Sequence, residues 1–157
     1  MSSVSITQSI LDEFGEKLGT GAIALDAEGR ATMSVGPLEI TFAHDSEPVA
    51  MLWLYADLGP MPEDEAAPTG LLTLGYISWM TGAMTIAATD DGTRVFGYTS
   101  IPLAMLTVPV LEENFQRLLI SGIEVQRRLA AGDFAELPTD VALDDSADTT
   151  FRPDLRV

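Results

Sequence analysis

AAPTGLLTLGYISWMTGAMTIAAT, residues 66–89, contains no charged residue, although the 157-residue chain carries 24 acids against eight bases. An uncharged run of this length in so acidic a protein must be covered by something. Thr69 is a suitable N-cap, and a helix over residues 70–80 would place Leu71, Leu72, Tyr76 and Trp79 on one stripe. Leu74, Ile77 and Met80 would occupy its flank, so the helix is apolar nearly all round, and a single subunit can bury only one side of it. Gly82 interrupts the helical pattern. Met84, Ile86 and Ala88 then alternate as in a strand, and the turn signal Asp90-Asp91-Gly92 leads into a returning strand, TRVFGYTS. The alternative is a membrane span. The helical part is about half the ~20 residues a span requires, and no basic flank follows it. The pattern therefore predicts a helix followed by a hairpin, with the helix clamped between its own sheet and a second copy of the chain.

Composition narrows the function. With 46% hydrophobic residues the chain can build a core, and its length suits one domain, expected over residues 1–132. A formal net charge of -16 opposes binding to nucleic acid or anionic membrane and favours basic or polar peptides. The absence of cysteine removes disulfides, thiolate metal sites and cysteine nucleophiles, and the single histidine, His44, leaves few ways to build an acid–base or metal site. His44 lies in the turn-like run HDSEP and reads as a solvated loop residue. The opening MSSVSITQS lacks the charge and apolar length of a signal peptide, from which a cytoplasmic location is expected.

Ahead of the central stretch, Ser5 and Gln8 form a capping-box pair. Ile6, Ile10, Leu11, Phe14 and Leu18 follow at helical spacing as far as Gly19. Gly15 inside this helix is unfavourable by up to about 1 kcal/mol, and is explained if something packs closely against it. TGAIALDA and RATMSV flank a turn at residues 26–29, and LEITF follows Gly36-Pro37, giving antiparallel strands of a meander. PVAMLWLYADLG, residues 48–59, is apolar on both faces and is expected in the middle of the sheet. The acidic run Glu63-Asp64-Glu65 reads as solvated charge ahead of a helix N-terminus.

Behind the central stretch, Thr107 caps a long helix with Pro109 in its first turn. Val108, Leu111, Phe115, Leu118, Gly122, Val125 and Leu129 form its apolar stripe, and Gly132 ends it. Residues 133–157 read as an acidic, flexible tail. Within it Asp144, Ser146, Asp148 and Thr150 are spaced like calcium ligands, but Thr149 stands where glycine is needed and Leu155 where the bidentate glutamate belongs. There is no phosphate-binding glycine loop and no serine elbow. A hydrolase built on paired carboxylates finds no obvious pair, so no cofactor and no enzymatic activity are expected.

The order α-β-β-β-(β)-α-β-β-α in a small acidic α+β chain resembles the class I type III secretion chaperones of the CesT (Tir chaperone) family. The residues that carry the likeness are LDEFGEKLGTGAIALDAEGRATMSV, MLWLYADLGPMP, ISWMTGAMTIAATDDG and LEENFQRLLISGIEVQRRLA. The resemblance implies a non-enzymatic homodimer whose middle helices pack across the two-fold axis and which holds the secretion-signal region of an effector. Its departures are Gly75-Tyr76, where many relatives have asparagine ahead of the tryptophan, and a longer acidic tail. A related fold serving as a regulatory or protein-interaction module is the alternative. The dimer contact is expected at Leu74, Ile77, Trp79 and Met80. An extended partner segment is expected in grooves beside the first helix, at Ile10, Phe14, Leu25, Met33 and Ile40.

Overall fold

In the computed structural model, which describes residues 2–133, three helices and five strands follow one another as α1 (Ser3–Leu18), β1 (Arg30–Val35), β2 (Leu38–Asp45), β3 (Met51–Pro60), α2 (Ala67–Met80), β4 (Thr85–Ala88), β5 (Arg94–Pro102) and α3 (Val108–Ala131). The strands form one antiparallel sheet in the order β1-β2-β3-β5-β4. The apolar run in β3 thus occupies the centre, as its composition predicts. Its two faces nevertheless differ: Leu52, Leu54, Ala56 and Leu58 are sealed, while Met51, Trp53, Tyr55 and Asp57 are half-buried.

The sealed face lies beneath α1 and α3. All seven residues of the α3 stripe are buried, Thr107 caps the helix through Val110 N–H, and Gly132 closes it in the left-handed conformation. At Gly122 the helix comes close to the sheet: an added Cβ would stand 2.9 Å from Leu38 Cδ1. Three phenylalanines join the layers. Phe14 meets Phe115 edge-on at 5.2 Å between centroids, and Phe42 stacks on Phe115 at 6.1 Å. Such pairs add about 0.5–1.5 kcal/mol each beyond the area they bury.

Several expectations need correction. TGAIALDA forms no strand. Gln8, instead of completing a capping box with Ser5, donates to Ile23 O and accepts from Leu25 N–H, so that this extended run is tied to α1 rather than to the sheet. The cap of α1 is Ser2, whose Oγ accepts from Ser5 N–H. Gly15 has the close neighbour its presence called for: a Cβ there would lie 2.1 Å from Gly21 O. His44 is no loop residue. It sits half-buried on β2, 3.0 Å from Thr7 Oγ1 through Nδ1 and 3.2 Å from Ser3 Oγ through Nε2. The Thr7 hydroxyl also lies 3.2 Å from Ser3 O, to which it can donate. Helix α2 begins before Thr69, at Ala67, with Pro68 in the first turn and Asp64 accepting from Ala66 N–H. The acidic tail and its calcium-like spacing lie outside the described residues, apart from Asp133.

Candidate partner-binding surfaces

Three surfaces of this fold are apolar and incompletely covered by their own subunit. The first is α2. Leu71, Leu74 and Ser78 turn inward, and Leu72, Tyr76, Trp79 and Met80 turn outward, with Leu72 77% and Trp79 67% exposed. Beside this outer face a cleft of about 510 Å³ opens between α2 and the edge strand β4, lined by Met61, Pro68, Leu71, Gly75, Tyr76 and Ile86 among others. Leu74, expected at the subunit contact, is corrected to the core, because the helix phase turns it toward the sealed face where it is 8% exposed. Ile77 is half-buried, and Trp79 and Met80 are exposed.

A second surface is the flank between α1 and β1. Ile10, Leu25, Met33 and Val35 are half-buried at the margin of the core, and Ile6 stands 41% exposed next to them. Of the residues expected in a groove beside α1, Ile10, Leu25 and Met33 are thus partly exposed. Phe14 and Ile40 do not belong to it: both are 0% exposed, Phe14 within the phenylalanine cluster and Ile40 on the sealed face of β2. Helical spacing alone cannot separate Phe14 from Ile10, because both lie on the inward half of α1.

The third surface is the open face of the sheet, which sequence reasoning missed. Strand register sets its side chains in ranks across the sheet. Arg30, Ala43, Trp53 and Ser100 form one rank, Thr32, Thr41, Tyr55, Tyr98 and Thr85 the next, and Ser34, Glu39, Asp57, Phe96 and Ala87 the third. Trp53, Tyr55 and Tyr98 are mutual neighbours with centroids 6.0–6.2 Å apart. A groove of about 440 Å³ runs over this face from Arg30 to Ala87, lined by Tyr55, Tyr98 and Phe96. Burial pushes the Tyr55 phenol up, and the Arg30 guanidinium opposes that while Asp45 and Tyr98 reinforce it. The signal was present in the apolar outward positions of β3, which full burial on both faces seemed to explain.

The charge on this face is uneven. Arg94 reaches Asp57 Oδ2 at 2.6 Å, whereas Glu39, directly opposite Asp57 on β2, makes no ion pair among the described residues. No group of three or more potential ligating side chains that could hold a metal ion occurs among the described residues, and none of their helices is long and apolar enough to cross a membrane. These surfaces offer shape, apolar area and scattered charge, the means of binding a polypeptide.

Comparison with known proteins places these features in a family. The Tir chaperone protein (CesT) family matches residues 9–123, well over half of the chain. Among solved structures, the chain matches one from the ExsC–ExsE complex at 24% identity with a TM-score of 0.73, covering 82% of this chain and 97% of that one. It matches one from the HopA1–SchA chaperone–effector complex at 20% identity and a TM-score of 0.69, covering 80% and 96%. A third match is to the heterodimeric ExoU–SpcU complex from the type III secretion system of Pseudomonas aeruginosa, at 14% identity and a TM-score of 0.61, covering 77% and 98%. No curated protein sequence matches.

Proposed function

Because this chain belongs to the Tir chaperone protein (CesT) family, the type III secretion chaperones, we propose that it binds the non-globular, N-terminal secretion-signal region of a cognate effector and keeps it soluble for export. The observation that carries this reading is the sheet covered by helices on one face only, whose other face presents Tyr55, Phe96 and Tyr98 along a groove, with Trp53 beside Tyr55 and Tyr98. An unfolded segment lying there, and continuing over Ile10, Leu25 and Met33, buries apolar side chains that would otherwise drive its aggregation. That one solved structure of this fold, HopA1–SchA, is a chaperone–effector complex supports the reading. The protein works by binding alone, without chemistry or cofactor, and in the bacterial cytoplasm, where effectors are made.

The working unit is a homodimer. An outward helix face carrying Leu72, Tyr76, Trp79 and Met80 beside an apolar cleft suits an isologous contact, in which each copy's aromatic pair enters the other's cleft. The test is co-expression with its cognate effector. The effector's amino-terminal region should become soluble and copurify with the wild-type protein, and should do neither with Tyr55→Asp or Tyr98→Asp variants of unchanged fold. An effector equally soluble and bound without an intact open face would contradict this reading.

A further inference from the structure

The open sheet face carries a charge arrangement that apolar capture does not explain. Glu39 and Asp57 face one another across β2 and β3 on that surface, a placement of like charges that destabilises a sheet. Arg94 holds Asp57 and leaves Glu39 without an ion pair among the described residues. Next to this pair, in the adjoining rank, lie the half-buried faces of Tyr55 and Tyr98. The chain's own cations already use this surface: Arg94 binds a carboxylate on it and Arg30 lines the groove with Tyr55. A protein of net charge -16 also draws cationic segments toward any such groove.

Building on the proposed chaperone role, we infer that the open face selects partner segments bearing a basic side chain, arginine above all, seated between Glu39 and the ring of Tyr55. A guanidinium suits this position because it is planar: it stacks on a tyrosine face while its edge donates to a carboxylate. It would also give Glu39 the cationic partner that Arg94 already gives Asp57. The basic residue therefore sets which segment is held and in what register, and the apolar groove supplies area.

The test uses a randomised 16-residue peptide library, panned against the wild-type protein and against Glu39→Gln. Glu39 is exposed, so the variant should fold, and its melting temperature verifies this. The wild type should enrich peptides that combine apolar residues with arginine or lysine. Replacing that arginine by the neutral isostere citrulline should weaken binding about tenfold on wild type, near 1.4 kcal/mol, and less than twofold on Glu39→Gln. Apolar peptides bound with no basic preference, or a citrulline penalty unchanged in Glu39→Gln, would overturn the inference while leaving the chaperone reading intact. Enrichment of no peptide that Tyr55→Asp displaces would overturn the use of the open face itself. Selection of basic peptides that bind the α2 cleft instead would overturn the assignment to Glu39.

Discussion

At Gly15 the backbone of α1 meets the carbonyl of Gly21, and a Cβ at 2.1 Å from that oxygen has no room. Gly15→Ala should therefore destabilise the protein by about 1–3 kcal/mol despite alanine's better helix propensity, as read from denaturant midpoints; an unchanged or raised midpoint would mean that the 20–27 run does not lie against α1. The fully enclosed Phe14 and the marginal Met33 make a sharper pair. Phe14→Ala should cost about 3–5 kcal/mol by opening the phenylalanine cluster. Met33→Asp should cost much less stability than Phe14→Ala while weakening partner binding, and isothermal titration with the effector's amino-terminal peptide separates the two effects. Glu39→Gln removes a like-charge opposition, so the free protein should become slightly more stable even as it loses its preference for basic segments.

The elements differ in how far their sequence declares them. Helix α3 is legible throughout, because cap, stripe and terminating glycine all concern neighbours within the single run 107–132. The hairpin β4–β5 was equally plain from its turn. The run TGAIALDA has the alternation of a strand, but what it pairs with is Gln8, a residue of α1 whose side chain takes the place of a strand's backbone, and no local pattern reveals that substitution. For the same reason His44 was misread: HDSEP looks like a turn until β2 brings its ring against Thr7. On α2 the periodicity identified an all-round apolar helix but not its rotation, so Leu74 was assigned outward and Leu72 undervalued. The end of α3 carries an acid-sensitive contact. Arg127 and Arg128 both donate to Glu124 and hold its carboxyl down to about 2 from its ordinary value of 4.5. A depressed carboxyl stabilises the fold above the unfolded-state value and loses that contribution as pH falls from there through about 2. Amide chemical shifts in the last turns of α3 should accordingly show fraying over that window, and Glu124→Gln should abolish the step. Persistence of the step in the variant would place the titration elsewhere.

Taken whole, the molecule is a one-sided sheet with two demands for company, one at α2 and one on the open face. The first calls for a second copy: light scattering at micromolar concentration should give twice the 16.8 kDa chain mass, and Trp79→Asp should return it to one. The family fold and the central position of β3 could be read from the sequence because they follow from order and composition. The open-face site could not, because it is made of ranks that only strand register assembles. We further propose that residues beyond about 140 add nothing to folding, so their removal should shift the melting point by less than a degree or two. Amide hydrogen exchange of the protein with and without its copurified effector tests the central claim most directly. Binding should protect β3 and β5 and the α1–β1 flank, together with a stretch near the effector's amino terminus that exchanges freely when unbound. Protection confined to a folded effector domain, with β3 and β5 exchanging as in the free protein, would contradict it.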